Sequence, residues 1–365
     1  MVVAVGIPLI SYHMPKMMVF ENRSGFLMDT FFTYMVARFC INDRASFITA
    51  MKWVGVAFVP LAVLGTIEAY TGWQPYFTMM QYCPWKPTVN INPRSGLFRA
   101  IGPFGHPIMF GAAFVLFLPL IYSLRHERDH WHSLAYLLSG FAILGTLSSM
   151  SSGPWMMALI VIGCLVLEYH KVLVKPLVIF AILSCIIVGV ISNRPFYYVI
   201  ASYSNPVGGT AWHRAKLIDL AIEHFDEWWL AGYGGLDPGW GSSLGMDRTD
   251  ITNEYITAGV KHGLPGLITF VGILATAMYM LVRLHNSAQT PMLRSWYWAF
   301  GSIIVMLIIS FNSCAFFTQT GNLFYCILGM IGSSPNFMLN IANPATVPNT
   351  ISYSEFGTGR GLVLK

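Results

Sequence analysis

The chain has 365 residues, of which 55% are apolar and only 10% charged, with a mean hydropathy of +0.58. Soluble domains carry about 25% charged residues, so an ordinary cytosolic enzyme, a disordered protein and a secreted disulfide scaffold are all excluded. The net charge of +5 comes from Lys and Arg scattered between apolar runs, with no dense basic stripe; that argues against nucleic acid as a partner and for membrane topology.

A spanning helix needs about 17–25 predominantly apolar residues. Such runs fall at 1–20, 26–41, 47–69, 104–124, 133–149, 154–169, 174–192, 264–283, 295–313 and 321–334. The expected fold is all-α, a polytopic membrane protein of about nine or ten transmembrane helices embedded in a lipid bilayer. One domain covers 1–334, and a loosely structured tail rich in Asn, Pro, Ser and Thr covers 335–365. The first run lacks a basic lead and a small-residue cleavage site, so it reads as a span rather than a cleaved signal. Its abrupt start reads as a shortened N-terminus.

Arg38, Arg44, Lys52, Arg125, Arg128, Lys171, Lys175, Arg283 and Arg294 fall at alternate turns, which places that side in the cytoplasm. The opposite side carries the turn at 148–153 and two long segments, about 70–103 and 193–263. This is the outer face. The six cysteines, Cys40, Cys83, Cys164, Cys185, Cys314 and Cys326, form no C-x-x-C pair. Most lie inside apolar runs, where they act as small hydrophobes, so neither a zinc site nor a disulfide framework is expected.

Within 193–263, Ala211, Ala215, Ile218, Ile222, Phe225 and Trp229 recur at helical spacing and predict one apolar stripe. His213, Lys216, Glu223 and Glu227 take the other side. The result is an amphipathic helix lying along the outer interface, with Trp228 and Trp229 at headgroup level and Gly232 as its C-cap. A Gly-rich turn at 232–241, which includes Gly234, follows. Asp250 then serves as a plausible N-cap for a second helix through Thr252, Asn253, Glu254 and Tyr255 to Gly263.

The runs at 104–124, 133–149, 176–192, 264–282 and 295–313 contain no Asp, Glu, Lys or Arg. Ion-coupled carriers place ionisable groups at mid-membrane, so that class is disfavoured. Polar chemistry gathers instead at the outer face. Arg99 precedes the run at 104–124 and Arg214 lies in the first turn of the interfacial helix. Each is either a lipid-phosphate anchor or a bidentate ligand for phosphate or pyrophosphate. His213, His224 and His262 are surface, packing or base candidates, and no H-x-x-x-H pair suggests a metal. Asp237, Asp247, Asp250 and Glu254 are candidates to accept a proton from a hydroxyl. The Ser-rich turn before Pro154 reads as a helix start rather than as an intramembrane protease, for which the spans supply no His partner.

Taken in order, Arg99 before a Gly/Pro-rich helix start, Ser151-Ser152-Gly153, Trp212-His213-Arg214, Gly232-Tyr233-Gly234-Gly235, Asn253-Glu254-Tyr255 and Gly263-Leu264-Pro265-Gly266 resemble the O-antigen ligase and polysaccharide polymerase superfamily. The likeness covers roughly 45–285. It implies a membrane glycosyltransferase that moves a glycan from a polyprenyl-pyrophosphate donor to a saccharide acceptor hydroxyl at the periplasmic face. No nucleotide sugar, metal or other cofactor is implied. Arg99 and Arg214 would hold the pyrophosphate and Arg214 would stabilise its developing charge, with Gly234 and Asn253 as loop contacts and His213, Asp250 or Glu254 as the base. Other polysaccharide assembly proteins are implied partners. Ligases of the family carry His where Thr252 stands and often Arg where Ser152 stands, so the resemblance favours exopolysaccharide polymerisation over lipid A ligation. The alternatives are an exporter of polysaccharide or lipid-linked glycan, and a catalytically silent assembly partner.

Overall fold

The computed structural model describes residues 24–80, 82, 93–94, 96–127, 130–193, 195, 197–198 and 211–338, and among these the regular elements are all helical. The expected span at 1–20 and most of the expected tail lie outside them. A π-helical stretch, Leu27–Phe32, runs into α1 (Thr33–Cys40). Asp43 and Ser46 form a reciprocal capping box that starts α2 (Arg44–Thr71), and Gly72 at φ +72° ends it. After the short α3 (Pro75–Met80), His106 caps α4 (Pro107–Ser123) and Pro107 takes its first turn. Then come α5 (Trp131–Ser148), α6 (Ser152–Tyr169) and α7 (Val174–Ile191). Beyond the long connection lie α8 (Ala211–Glu223), α9 (Phe225–Trp228), α10 (Glu254–Ser287), α11 (Pro291–Ser310) and α12 (Thr318–Ser333).

Six of these, at Arg44–Thr71, Pro107–His126, Ser152–Tyr169, Lys171–Ile191, Glu254–Ser287 and Pro291–Ser310, are long and apolar enough to cross a membrane. Nine or ten were expected; the run at 1–20 lies outside the described residues, and among those described three further runs fall short for local reasons. The segment at 26–41 is divided between a π-helix of six residues and an α-helix of eight. The segment at 321–334 becomes a helix of only 16 residues. α5 has 18 residues, but its first turn holds Trp131, His132 and Ser133, which dilute its apolar character.

α4 is the central post. Every one of its residues except Ile108 and Tyr122 is buried, with α2, α5, α6, α11 and α12 packed around it. Gly145 of α5 makes one of these approaches possible, since a Cβ there would overlap the Phe114 ring. α7 is the opposite case. None of its residues is buried, so an all-apolar helix of this kind requires lipid or another chain around it.

The helix ends sort onto two faces. On one, Arg125 pairs with Glu168 at 2.8 Å and donates to Ser295, Lys52 sits over Trp131, and Lys171 donates to His285. Arg44 and Met292 also meet there. On the other, Phe98 N donates to the Ala69 carbonyl, Ala100 N to Ser148 and Glu254 N to Phe311.

Three expectations need correction. The tail does not begin at 335: Phe337 is fully buried against Phe47 and Trp296. The helix expected to run through Trp229 breaks at His224, and Gly232 caps neither piece: the C-cap of α9 is Trp229, and Gly232 N donates to the Trp228 carbonyl in the turn beyond. The apolar stripe of α8 is also not its packed face. Ala215, Leu217, Leu220 and Ala221 are buried, the last three with Trp228, Trp240, Leu244 and Val260 in a small second core. Ile222, Phe225 and Trp229 are exposed. α8 is thus apolar on two sides, one turned to protein and one exposed.

Candidate anion-binding site

Glu68, near the end of α2, is 2% exposed, yet its carboxylate is fully engaged. It accepts the backbone N–H groups of Ile101 and Gly102, both at 3.0 Å, and the Gln74 amide. With the Phe98 and Ala100 bonds, these contacts lace segment 98–102 between the ends of α2 and α5. Arg99 is carried on that segment. Its Nη2 donates to Ser151 Oγ at 2.8 Å, and Ser151 donates onward to the Ser149 carbonyl at 2.9 Å. Ser151 stands at the N-cap of α6 but makes no side-chain cap bond, its hydroxyl being used here instead. The turn is held by Met150 at φ +45°, the sole non-glycine residue with positive φ among the described residues.

Arg99 Nε is buried with no hydrogen-bond partner. Burial lowers its pKa and the nearby Arg94 charge lowers it further. His106 Nδ1 accepts Ile108 N–H at the start of α4, and its ring meets Phe317 at 5.8 Å between centroids. Burial and then the Arg99 charge hold its pKa below the usual histidine value, opposed by Asp250. Arg99, His106 and Asp250 therefore share one electrostatic neighbourhood.

The second cation arrives on α8. Arg214 Nε is likewise buried without a partner, and burial lowers its pKa, with Cys314 acting in the opposite sense. Beside it, His213 is 5% exposed and its Nε2 lies 2.9 Å from the Asp250 carbonyl. A carbonyl only accepts, so Nε2 carries the proton and Nδ1 bears the lone pair. That Nδ1 is buried and unpartnered.

The linker 311–317, between α11 and α12, joins the two halves. Glu254 N donates to the Phe311 carbonyl at 2.8 Å, Asn253 Nδ2 to Asn312 at 3.1 Å, and Phe316 N to Glu254 Oε2 at 3.0 Å. Phe317 stacks edge-on with His106, and Cys314 feels both Glu254 and Arg214. Burial, with Glu254 adding to it, pushes the Cys314 thiol up to about 12. It stays protonated and is no nucleophile.

Arg99, His213, Arg214, Asp250, Asn253 and Glu254 thus gather on one face of the bundle. Two roles change. The N-cap of α10 is Asn253, whose Oδ1 accepts from Tyr255 N and Ile256 N; Asp250 is exposed and contributes its carbonyl to His213. Glu254 is drawn into structure by Phe316. Gly234 is buried at φ +69° in the turn after Tyr233, whose N–H is held by the Val260 carbonyl. Asp237 accepts Gly239 and Thr249 N–H groups, so it is a turn residue. The sequence shows Glu68 at the outer end of its span and Cys314 among the apolar cysteines but assigns neither a role in the site, and it carries no sign of the 311–317 linker. A lone carboxylate closing an apolar run ahead of a Gly-Pro loop was the available signal for Glu68.

Uncompensated polarity is the mark of this site. Among the described residues neither Arg99 nor Arg214 has an acidic partner within ion-pair distance. Trp155 Nε1 and Thr252 Oγ1 on the same face are also buried and unpartnered. Each such atom costs about 1–3 kcal/mol, more when charged, and a concentration of them is what an anion-binding pocket presents before its ligand arrives. Comparison with protein-family models and with curated proteins finds no match to this chain.

Proposed function

We propose that this protein is a membrane glycosyltransferase that transfers a glycan from a polyprenyl-pyrophosphate donor to a saccharide hydroxyl. The reading extends to a polymerising reaction at the periplasmic face of a bacterial inner membrane, with α1, α5 and α12 completing the set of spans. One observation carries it: two guanidinium groups, each with a buried Nε lacking any partner, lie on one face without a carboxylate to neutralise them. Burying an unpaired charge is strongly unfavourable, and a pyrophosphate supplies the missing anion in a form that suits a guanidinium fork. As the glycosidic bond to the pyrophosphate breaks, negative charge grows on the leaving oxygen. Fixed donors in a partly dry site stabilise that charge more than they stabilise the ground state.

The test is a detergent assay of the purified protein with lipid-linked oligosaccharide. Wild type should form longer glycans, and Arg99→Ala and Arg214→Ala should each lose about 10²–10³-fold in rate. Wild-type rates from both variants would remove the assigned site. Movement of the substrate across sealed vesicles without new glycosidic bonds would identify an exporter. Neither activity would leave an assembly partner.

A further inference from the structure

We propose that His213 is the proton acceptor of this reaction, taking the acceptor hydroxyl's proton on Nδ1. The inference rests on the glycosyltransferase reading and assigns a step which that reading leaves open. The geometry ranks the candidates. The Nε2–H of His213 is fixed on the Asp250 carbonyl at 2.9 Å, so the ring is held in one tautomer with its lone pair on Nδ1. That atom is buried, has no partner and belongs to the residue preceding Arg214.

The competitors are engaged or misplaced. His106 has the same tautomer, but its Nδ1 lone pair is already used by Ile108 N–H, leaving only Nε2 as a donor. Glu254 accepts Phe316 N–H, and Asp250 has an exposed side chain. Thr252, two residues beyond the carbonyl that orients His213, has a buried, unpartnered hydroxyl, which is no base at neutral pH.

In the step itself, the acceptor oxygen bonds to the anomeric carbon while its proton passes to His213 Nδ1. The bond from that carbon to the pyrophosphate oxygen breaks, and its electron pair leaves with the pyrophosphate beside Arg214. The imidazolium then releases its proton to water. General-base assistance of this kind contributes roughly 10²–10⁴-fold.

Two substitutions separate a base from a structural histidine. His213→Gln places an amide N–H where Nε2–H stood, keeping the Asp250 contact without the Nδ1 lone pair. His213→Ala removes both. Turnover is followed with lipid-linked oligosaccharide and donor affinity with farnesyl pyrophosphate, in the same detergent. The expected result is a loss of about 10²-fold or more in both variants, unchanged farnesyl pyrophosphate affinity, and partial rescue of His213→Ala by added imidazole. Near-wild-type turnover by His213→Gln, or loss of pyrophosphate affinity in that variant, overturns the assignment and leaves His213 as a positioning residue. A wild type that binds pyrophosphate but never transfers sugar overturns the glycosyltransferase reading, and the base with it.

Discussion

Arg99 Nη2 donates to Ser151 Oγ at 2.8 Å, across 52 residues of sequence. The bond aims a guanidinium whose Nε is left without a partner, so the serine orients Arg99 rather than neutralising it. Ser151→Ala should cost about tenfold in transfer rate, the equivalent of one hydrogen bond to a charged group. Arg99→Lys should cost more, because an ammonium keeps the charge but lacks the planar fork. Initial rates of the two variants measured side by side check the order. A Ser151→Ala enzyme slower than Arg99→Lys would show that the hydroxyl acts directly and not through Arg99.

Arg214 carries a stability cost that follows from the same geometry. An unpaired guanidinium held partly out of water is unfavourable in the unliganded protein. Arg214→Leu should therefore raise the thermal midpoint in detergent, by the equivalent of about 1–2 kcal/mol, while abolishing transfer. Pyrophosphate should raise the wild-type midpoint by mass action and leave that of the variant unmoved. A lower midpoint for Arg214→Leu would mean that the side chain has a structural partner and that the anion site is misassigned.

How much of this was legible in the sequence depended on the range of the interaction. The helix starts read at Pro107 and at Pro154 stand in the structure as the starts of α4 and α6, because capping and first-turn chemistry are settled within four residues. The assignment of Arg99 and Arg214 to one face rests on counting apolar runs, an argument about the whole chain rather than about either residue. The packed side of α8 was not legible. Apolar residues lie around much of that helix, and only tertiary contact with α10 chooses Leu217 and Leu220 over Ile222. The 311–317 linker has no local signature at all. Its role comes from carbonyls at Phe311 and Asn312 and an amide at Phe316, which any residue type supplies.

Asn253 and Asp250 offer a direct contrast between the expected and the observed start of α10. Asn253 Oδ1 caps Tyr255 N and Ile256 N, and its Nδ2 donates to the Asn312 carbonyl. Asn253→Ala should destabilise by about 1–2 kcal/mol, the range of a lost cap. Asn253→Asp should recover much of that, since it keeps the accepting oxygen and loses only the bond to Asn312. Asp250→Ala leaves the carbonyl that His213 uses and should fall within about 0.5 kcal/mol of wild type. Denaturation midpoints of the three variants test the set, and a greater loss in Asp250→Ala than in Asn253→Ala would return the cap to Asp250.

His106 makes stability on the acid side a readable quantity. Burial and the Arg99 charge hold its folded pKa below the ordinary value of 6.5. As pH falls through about 6.5, the unfolded chain takes up this proton before the folded chain does. The stability linked to His106 is thus complete above that value and is lost as pH drops toward the depressed folded pKa. Protonation also removes the Nδ1 acceptor that holds Ile108 N–H at the start of α4. His106→Asn supplies a capping oxygen that does not titrate, so its stability should decline less steeply between pH 7 and pH 5. The difference in slope is bounded at about 1.4 kcal/mol per pH unit for one proton. The other histidines contribute equally to both proteins, so subtracting the two stability curves isolates this group. Superimposable curves would show that His106 titrates alike in the folded and unfolded chains, and that neither burial nor the Arg99 charge acts on it.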